Sequence, residues 1–225
     1  MGLNKQTGNM FEFVTHTWNP IKGECPHDCV YCYMKRWGKQ RPLRLDEKDL
    51  NTDLGIWNKI FVGSSTDMFR VPVEWTARVM EKARAHPLNT YLFLTKSPNR
   101  FPIWQSLMPP KVYLGATLET NRHHPDIYSR KSPPPLPLIR AAFLSEINYV
   151  SKFVSIEPVL DFDTDKFVEL VRMIHPAFVA IGADSREKRT GTPKEPDKKK
   201  LLDLIGRLET FTTVVKKNNL RRLLK

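Results

Sequence analysis

A chain of 225 residues, 40% of them hydrophobic, is long enough to bury a substantial core and too apolar to stay disordered. No apolar run approaches the roughly 20 residues that span a bilayer, and Met1 to Phe11 lacks a signal-peptide core, so neither a membrane protein nor an exported one is expected. The formal net charge of +12 favours a polyanionic partner such as nucleic acid, or an acidic electron donor docking on a basic face.

Phe11 to Thr17 alternates apolar and polar residues, the pattern of a first strand. Trp18-Asn19-Pro20 ends it, and a loop over 19–33 carries every cysteine in the chain. A short basic helix is expected from Tyr33 to Trp37. Lys35, Arg36, Lys39, Arg41 and Arg44 form a charge run there; a solvated face is its ordinary meaning and phosphate contact the alternative. Lys59 to Gly63 reads as a second strand. Pro72 then starts a helix with Trp75, Val79, Met80 and Ala83 on one face. Thr90 to Leu94 and Val112 to Ala116 are the third and fourth strands. Residues 122–138 form a long loop, because Pro133-Pro134-Pro135 cannot sit inside a helix.

A helix from Leu138 to Asn148 and a fifth strand from Phe153 to Ile156 follow. Thr164 reads as the N-cap of a helix carrying Phe167, Val168, Leu170, Val171 and Ile174. Phe178 to Gly182 is the sixth strand. Residues 186–200 hold seven basic residues, three acidic ones and two prolines, and read as an exposed connection. A helix around Leu201 to Leu208, a strand from Phe211 to Val215 and a basic tail complete a single domain spanning 1–225.

Strands that are apolar runs, alternating with helices, make a parallel sheet covered by helices. Right-handed crossovers roll such a sheet into an open or partial barrel. The fold class expected is α/β, a parallel-stranded partial (β/α)6 TIM-type barrel. Each central strand turns polar where it ends: at Asn19, Ser64 to Asp67, Thr95 to Ser97, Thr117 to Asn121, Glu157 and Asp184. Barrel enzymes place their active sites at that rim, so these groups should converge with the cysteine loop.

The cysteines are spaced Cys25-x3-Cys29-x2-Cys32. Their thiolates can meet at one metal centre. A [4Fe–4S] cluster ordinarily takes four cysteines. Three leave one iron open to another ligand, as a catalytic zinc keeps an open position. The competing arrangement is a tetrahedral zinc on the same cysteines plus His27 or a more distant histidine. A disulfide would leave one thiol over. Clustered thiols without an export signal point to a reducing cytoplasm.

With the aromatic Tyr31 before its last cysteine, the motif resembles the signature of the radical S-adenosylmethionine (SAM) superfamily. The resemblance implies a [4Fe–4S] cluster on Cys25, Cys29 and Cys32, with SAM chelating the remaining iron. It implies an electron from a low-potential donor, flavodoxin- or ferredoxin-like, that cleaves SAM to methionine and a 5′-deoxyadenosyl radical. That radical then abstracts hydrogen from a substrate. A six-stranded partial barrel with the cluster loop after the first strand is implied as well. The SAM amino group then belongs near Ser64, Ser65 and Asp67, where the superfamily often has a Gly-Gly-Glu-like segment. The ribose or carboxylate belongs near Thr117, Glu119 and Arg122. Tyr31 is expected to pack over the cluster.

Lys96 and Glu157 are read as contacts to SAM or substrate, against an exposed lysine and a structural ion pair with an arginine. Asp184 divides between a site group and a turn residue. His16 reads as a satisfied core histidine, His123 and His124 as solvated. Trp18, Trp57, Trp75 and Trp104 read as core or loop anchors. Trp18-Asn19-Pro20, Ser65-Thr66-Asp67 with Phe69, Leu94-Thr95-Lys96 with Pro98, and Ser155-Ile156-Glu157-Pro158 are together similar to a phage- and archaea-associated group of small radical-SAM-like proteins. Spore photoproduct lyase, a DNA repair enzyme, is a more distant superfamily relative. The function expected is a radical SAM enzyme on an unidentified substrate, with nucleic acid or a nucleotide suggested by charge. The alternative is a non-catalytic, zinc- or cluster-bearing nucleic-acid-binding protein.

Overall fold

The computed structural model describes residues 2–6, 11, 13–128, 132–185 and 192–225. Its strands are β1 (Leu3–Lys5), β2 (His16–Trp18), β3 (Ile21–Lys22), β4 (Arg44–Leu45), β5 (Lys59–Val62), β6 (Thr90–Thr95), β7 (Val112–Thr117), β8 (Ser151–Ile156), β9 (Phe178–Ile181) and β10 (Thr213–Lys216). Its α-helices are α1 (Glu47–Leu50), α2 (Val73–Arg84), α3 (Pro137–Ser145), α4 (Thr164–Ile174) and α5 (Lys198–Glu209). Eight strands form one sheet in the order β1-β2-β5-β6-β7-β8-β9-β10, and β3 pairs with β4 apart from it. β1 runs antiparallel to β2. Every other pairing in the large sheet is parallel. The architecture is the α/β partial barrel expected, with eight strands in its sheet rather than six.

Side chains alternate across the strands with a period of two. Ile60, Val62, Tyr91, Phe93, Leu114, Val154, Val179 and Ile181 face outward and pack on Val79, Met80, Leu144, Phe167, Val171 and Leu204 of the covering helices. Phe61, Leu92, Phe153 and Ala180 face inward and form a second cluster with Phe11 and Val14. That inner cluster is aromatic. The Phe11 ring lies 5.5 Å from Phe61 and 6.1 Å from Phe153, and Phe13 meets Phe178 edge-on at 4.9 Å. Gly115 sits directly opposite Phe153 in the β7–β8 register. A Cβ on Gly115 would lie 2.4 Å from the Phe153 ring, so the ring occupies the space a side chain would take.

Several boundaries differ from expectation. The Phe11–Thr17 alternation is not a strand along its length. The strand is His16–Trp18, while Phe11 and Phe13 plug the floor of the barrel. β1 was not anticipated. The loop over 122–138 ends at α3, which starts at Pro137, and residues 129–131 lie outside the described set. Asp163, not Thr164, is the residue preceding the first turn of α4, and its carboxylate is turned to Arg122. Of the connection over 186–200, residues 186–191 lie outside the described set and α5 begins at Lys198. Trp18 and Trp104 are buried, but Trp57 is 67% exposed, with Lys111 Nζ 5.0 Å over its ring. No helix among the described residues is long and apolar enough to cross a membrane.

Candidate active site

A cavity of about 370 Å³ opens at the C-terminal ends of the parallel strands. Cys25, Cys29 and Cys32 line it from the loop after β2. Ser64, Ser65 and Asp67 line it after β5, Lys96 after β6, Thr117 at the end of β7, Glu157 after β8, Asp184 after β9 and Lys217 after β10. Its floor is the aromatic plug, through Phe11 and Phe61. Apart from Lys217, all of these rim groups were expected from the sequence, and the structure brings them together along with Tyr31. It does not place Glu119 or Arg122 on the cavity wall. Arg122 instead pairs with Asp161 and Asp163.

Two buried side chains, His27 and Tyr31, fasten the middle of the cysteine loop to the barrel. His27 is 1% exposed and uses both ring nitrogens. Its Nε2 lies 3.0 Å from Asp67 Oδ2, and its Nδ1 lies 3.3 Å from the Ser132 carbonyl. A histidine so engaged is not a fourth metal ligand, which removes the nearest candidate for a zinc site. Among the described residues, no group of three or more His, Cys, Asp or Glu side chains gathers to hold a metal ion. Asp67 also accepts from Thr95 Oγ1 at 2.8 Å, the Lys96 amide at 2.9 Å and the Phe69 amide at 3.1 Å. Burial pushes its carboxyl up, but His27, Lys96 N–H and Thr95 outweigh burial and hold it below the usual range. Gly63 turns the chain out of β5 at φ +74°, a left-handed conformation that favours glycine. Ser64 then donates to Asn19 Oδ1 at 3.0 Å, and the Ser64 carbonyl accepts from Tyr33 at 2.8 Å.

Tyr31 is the second fastening. Its hydroxyl donates to Glu119 behind the cavity wall. Glu119 has no exposure, accepts from Tyr128 at 2.9 Å, meets Arg140 Nη2 at 2.9 Å and lies 3.5 Å from Lys96 Nζ. Burial raises its carboxyl, but Arg140 and Lys96 together bring it down to about 2. Burial lowers the Lys96 ammonium, and the Cys29 sulfur as a thiolate and the Glu119 carboxylate more than reverse this, so it is held above the ordinary lysine value. Lys96 is thus a half-buried cation beside Cys29, its side chain 16% exposed, not the exposed strand-end lysine. Its Nζ stands 5.4 Å over the Tyr31 ring. Burial raises the Cys25 thiol to about 12, with Asp67 adding to the effect, and burial raises Cys29 too. Such thiols become thiolates only with a positive partner to hold them.

Glu157 pairs with Lys217 and accepts from Asn219 Nδ2 at 3.1 Å. The partner is a lysine from the basic tail, where an arginine was the structural alternative. Lys217 is 6% exposed, and its Nζ stands 4.9 Å over the Phe11 ring. Asp184 is also buried, its amide donating to Glu195 at 2.6 Å. Sequence reasoning missed Arg140, Tyr128 and Lys217. Arg140 had a signal. It occupies a core position in the apolar stripe Pro137, Arg140, Ala141, Leu144 of α3, and an arginine there needs a buried anion.

Solved structures of spore photoproduct lyase share this fold. One, complexed with dinucleoside spore photoproduct, aligns with a TM-score of 0.64 at 11% identity, covering 94% of this chain and 78% of that one. A singly substituted form aligns at 0.65 and 13% identity, covering 92% and 78%. A doubly substituted form, with bound AdoMet and dinucleoside spore photoproduct, aligns at 0.56 and 12% identity, covering 90% and 64%. No curated protein sequence matches the chain. A family model does match, over residues 8–190, and by that match the chain belongs to the family described as protein of unknown function (DUF5131).

Proposed function

We propose that the chain is a radical SAM enzyme acting on a nucleic acid or a nucleotide. One observation carries this reading. The only three cysteines of the sequence line one cavity with the C-terminal ends of the parallel strands. The donor types are those of a [4Fe–4S] cluster with one iron left for SAM: three thiols on one loop, lining one cavity, and a nearby histidine already engaged on both nitrogens, with no three such groups gathered for a metal among the described residues before the cluster is bound. The shared fold with a structure holding AdoMet and a dinucleoside lesion supports both the cofactor and the substrate class. When bound, the cluster and SAM supply reductive cleavage of the sulfonium and a 5′-deoxyadenosyl radical.

The chain's own residues supply position, charge and exclusion of water. Cys25, Cys29 and Cys32 would hold the cluster. Lys96 offsets the negative charge that thiolates bring into a buried place. Tyr31, tied to Glu119, and His27, tied to Asp67, fix the loop on two sides. Ser64, Ser65, Thr117 and Glu157 offer polar contacts to SAM and substrate from the rim. Phe11, Phe61 and Leu94 close the inner end with apolar surface. Electrons are assigned to a flavodoxin- or ferredoxin-like donor.

The test is direct. Protein purified without oxygen should be brown and carry about four irons per chain. With SAM and a strong reductant it should form 5′-deoxyadenosine, and Cys→Ser at 25, 29 or 32 should abolish both properties. A colourless protein with a single zinc and no 5′-deoxyadenosine overturns the reading.

A further inference from the structure

Directly after the last cysteine, a 3-10 turn spans Tyr33–Trp37. Its final residue is a tryptophan that is 60% exposed. An indole that far out in water wastes apolar surface unless something covers it. Within the chain it is held, not covered. The Arg36 guanidinium lies 4.3 Å from its ring centroid, and Tyr33 meets it edge-on at 5.9 Å. Tyr33 is itself anchored to the Ser64 carbonyl, so the turn is fixed to the cavity rim.

The surroundings are basic. Arg36, Lys39 and Arg41 are exposed. Lys35 pairs with Asp28, but Arg36 has no carboxylate at ion-pair distance among the described residues. Arg36 and Tyr33 also line the cavity. An aromatic face, a guanidinium stacked on it and free cations beside it form the kind of platform on which unpaired bases stack while the backbone follows the charge. These charges would suit an acidic protein as well; the exposed ring with a guanidinium on it is what favours a base. A folded duplex offers no free base face to the ring.

We infer that Trp37 is a stacking platform for an unpaired base of a single-stranded nucleic acid, with Arg36, Lys39 and Arg41 taking the phosphates, and that it hands the strand to the cavity beside it. The inference rests on the proposed nucleic-acid substrate and gives that substrate its form and its point of entry. The turn places the platform next to the cysteines, so a strand resting on it lies at the mouth of the reactive chamber.

The full chain, purified without oxygen, is titrated by fluorescence anisotropy against a labelled oligothymidylate of about 12 nucleotides and against a blunt duplex of the same length. The series is run between about 50 and 200 mM salt. The single strand should bind more tightly than the duplex. Trp37→Ala should weaken single-strand binding about 5- to 140-fold. Its salt slope should stay as in the parent, because stacking releases no counterions. Trp37→Phe keeps a ring and should stay within about threefold of the parent. The pair Lys39→Gln and Arg41→Gln should instead flatten the salt slope by about 1.4. Unchanged affinity in Trp37→Ala, a duplex preference, or no binding at low salt overturns the platform.

Formation of 5′-deoxyadenosine without oligonucleotide is measured on the same samples. Ring-dependent binding without that product sustains the platform while the radical chemistry falls. Product without any strand binding does the reverse.

Discussion

The Glu119 carboxylate and the Arg140 guanidinium meet 2.9 Å apart at a place where neither side chain has any solvent exposure. Two opposite charges withdrawn from water hold each other, and removing one leaves the other stranded. Arg140→Met should therefore lower stability by about 3–5 kcal/mol, and Glu119→Leu by a similar amount. The double variant should recover much of the loss. Urea unfolding of the four proteins completes the cycle; additive losses would show that the pair does not act as a unit.

The same carboxylate sets a pH dependence. Its folded value is about 2, below the ordinary 4.5. A depressed acid stabilises the fold fully above its unfolded value, and the contribution drains away as pH falls through the window from 4.5 to about 2. Melting temperatures of the parent should fall on acidification through that range. Glu119→Gln starts lower and should lose less over the same interval, so the two curves converge. Parallel curves would mean that another group governs the acid limb.

Asp67 is the knot of the cysteine loop. Asp67→Ala leaves His27, Thr95 and two amides without their acceptor, at about 1–3 kcal/mol for each orphaned group. With the proposed cluster assembled, iron retained through gel filtration should drop with stability, because the loop that carries the thiols is released. Asp67→Asn keeps an acceptor oxygen and should fall between the two. Full iron retention in Asp67→Ala would show that the loop is held elsewhere.

At the floor, Gly115→Ala drives a Cβ toward a ring 2.4 Å away. Overpacking of this kind costs about 1–3 kcal/mol. Shrinking the ring with Phe153→Leu in the same chain should return part of the loss, measured as the urea midpoint. No rescue would mean that the backbone, not the ring, absorbs the added methyl.

Much of the fold was legible because the strands are apolar runs with polar ends. β5 through β9 were found within a few residues of their limits, and the rim followed from where each run stopped. Phe11 to Thr17 misled because alternation records which side chains are buried, not whether the backbone is paired. Phe11 is buried as a plug, and Phe13, half-buried, packs against it. β1 is too short at three residues to show a period. At the site, the cysteines and the strand-end polar groups were visible from their spacing. Lys217 was not, since a lysine in a basic tail looks solvated until the fold sets Glu157 beside it. Glu119 was found but misplaced. Counting from the strand end gives its position, while the arginine that draws it behind the wall comes from a helix 21 residues later.

The sheet begins at β1 and stops at β10, and those two edges do not pair with each other. Its two edge strands are only three and four residues long. So short an edge offers little unpaired backbone to a passing extended chain, which guards the open sheet against unwanted strand addition.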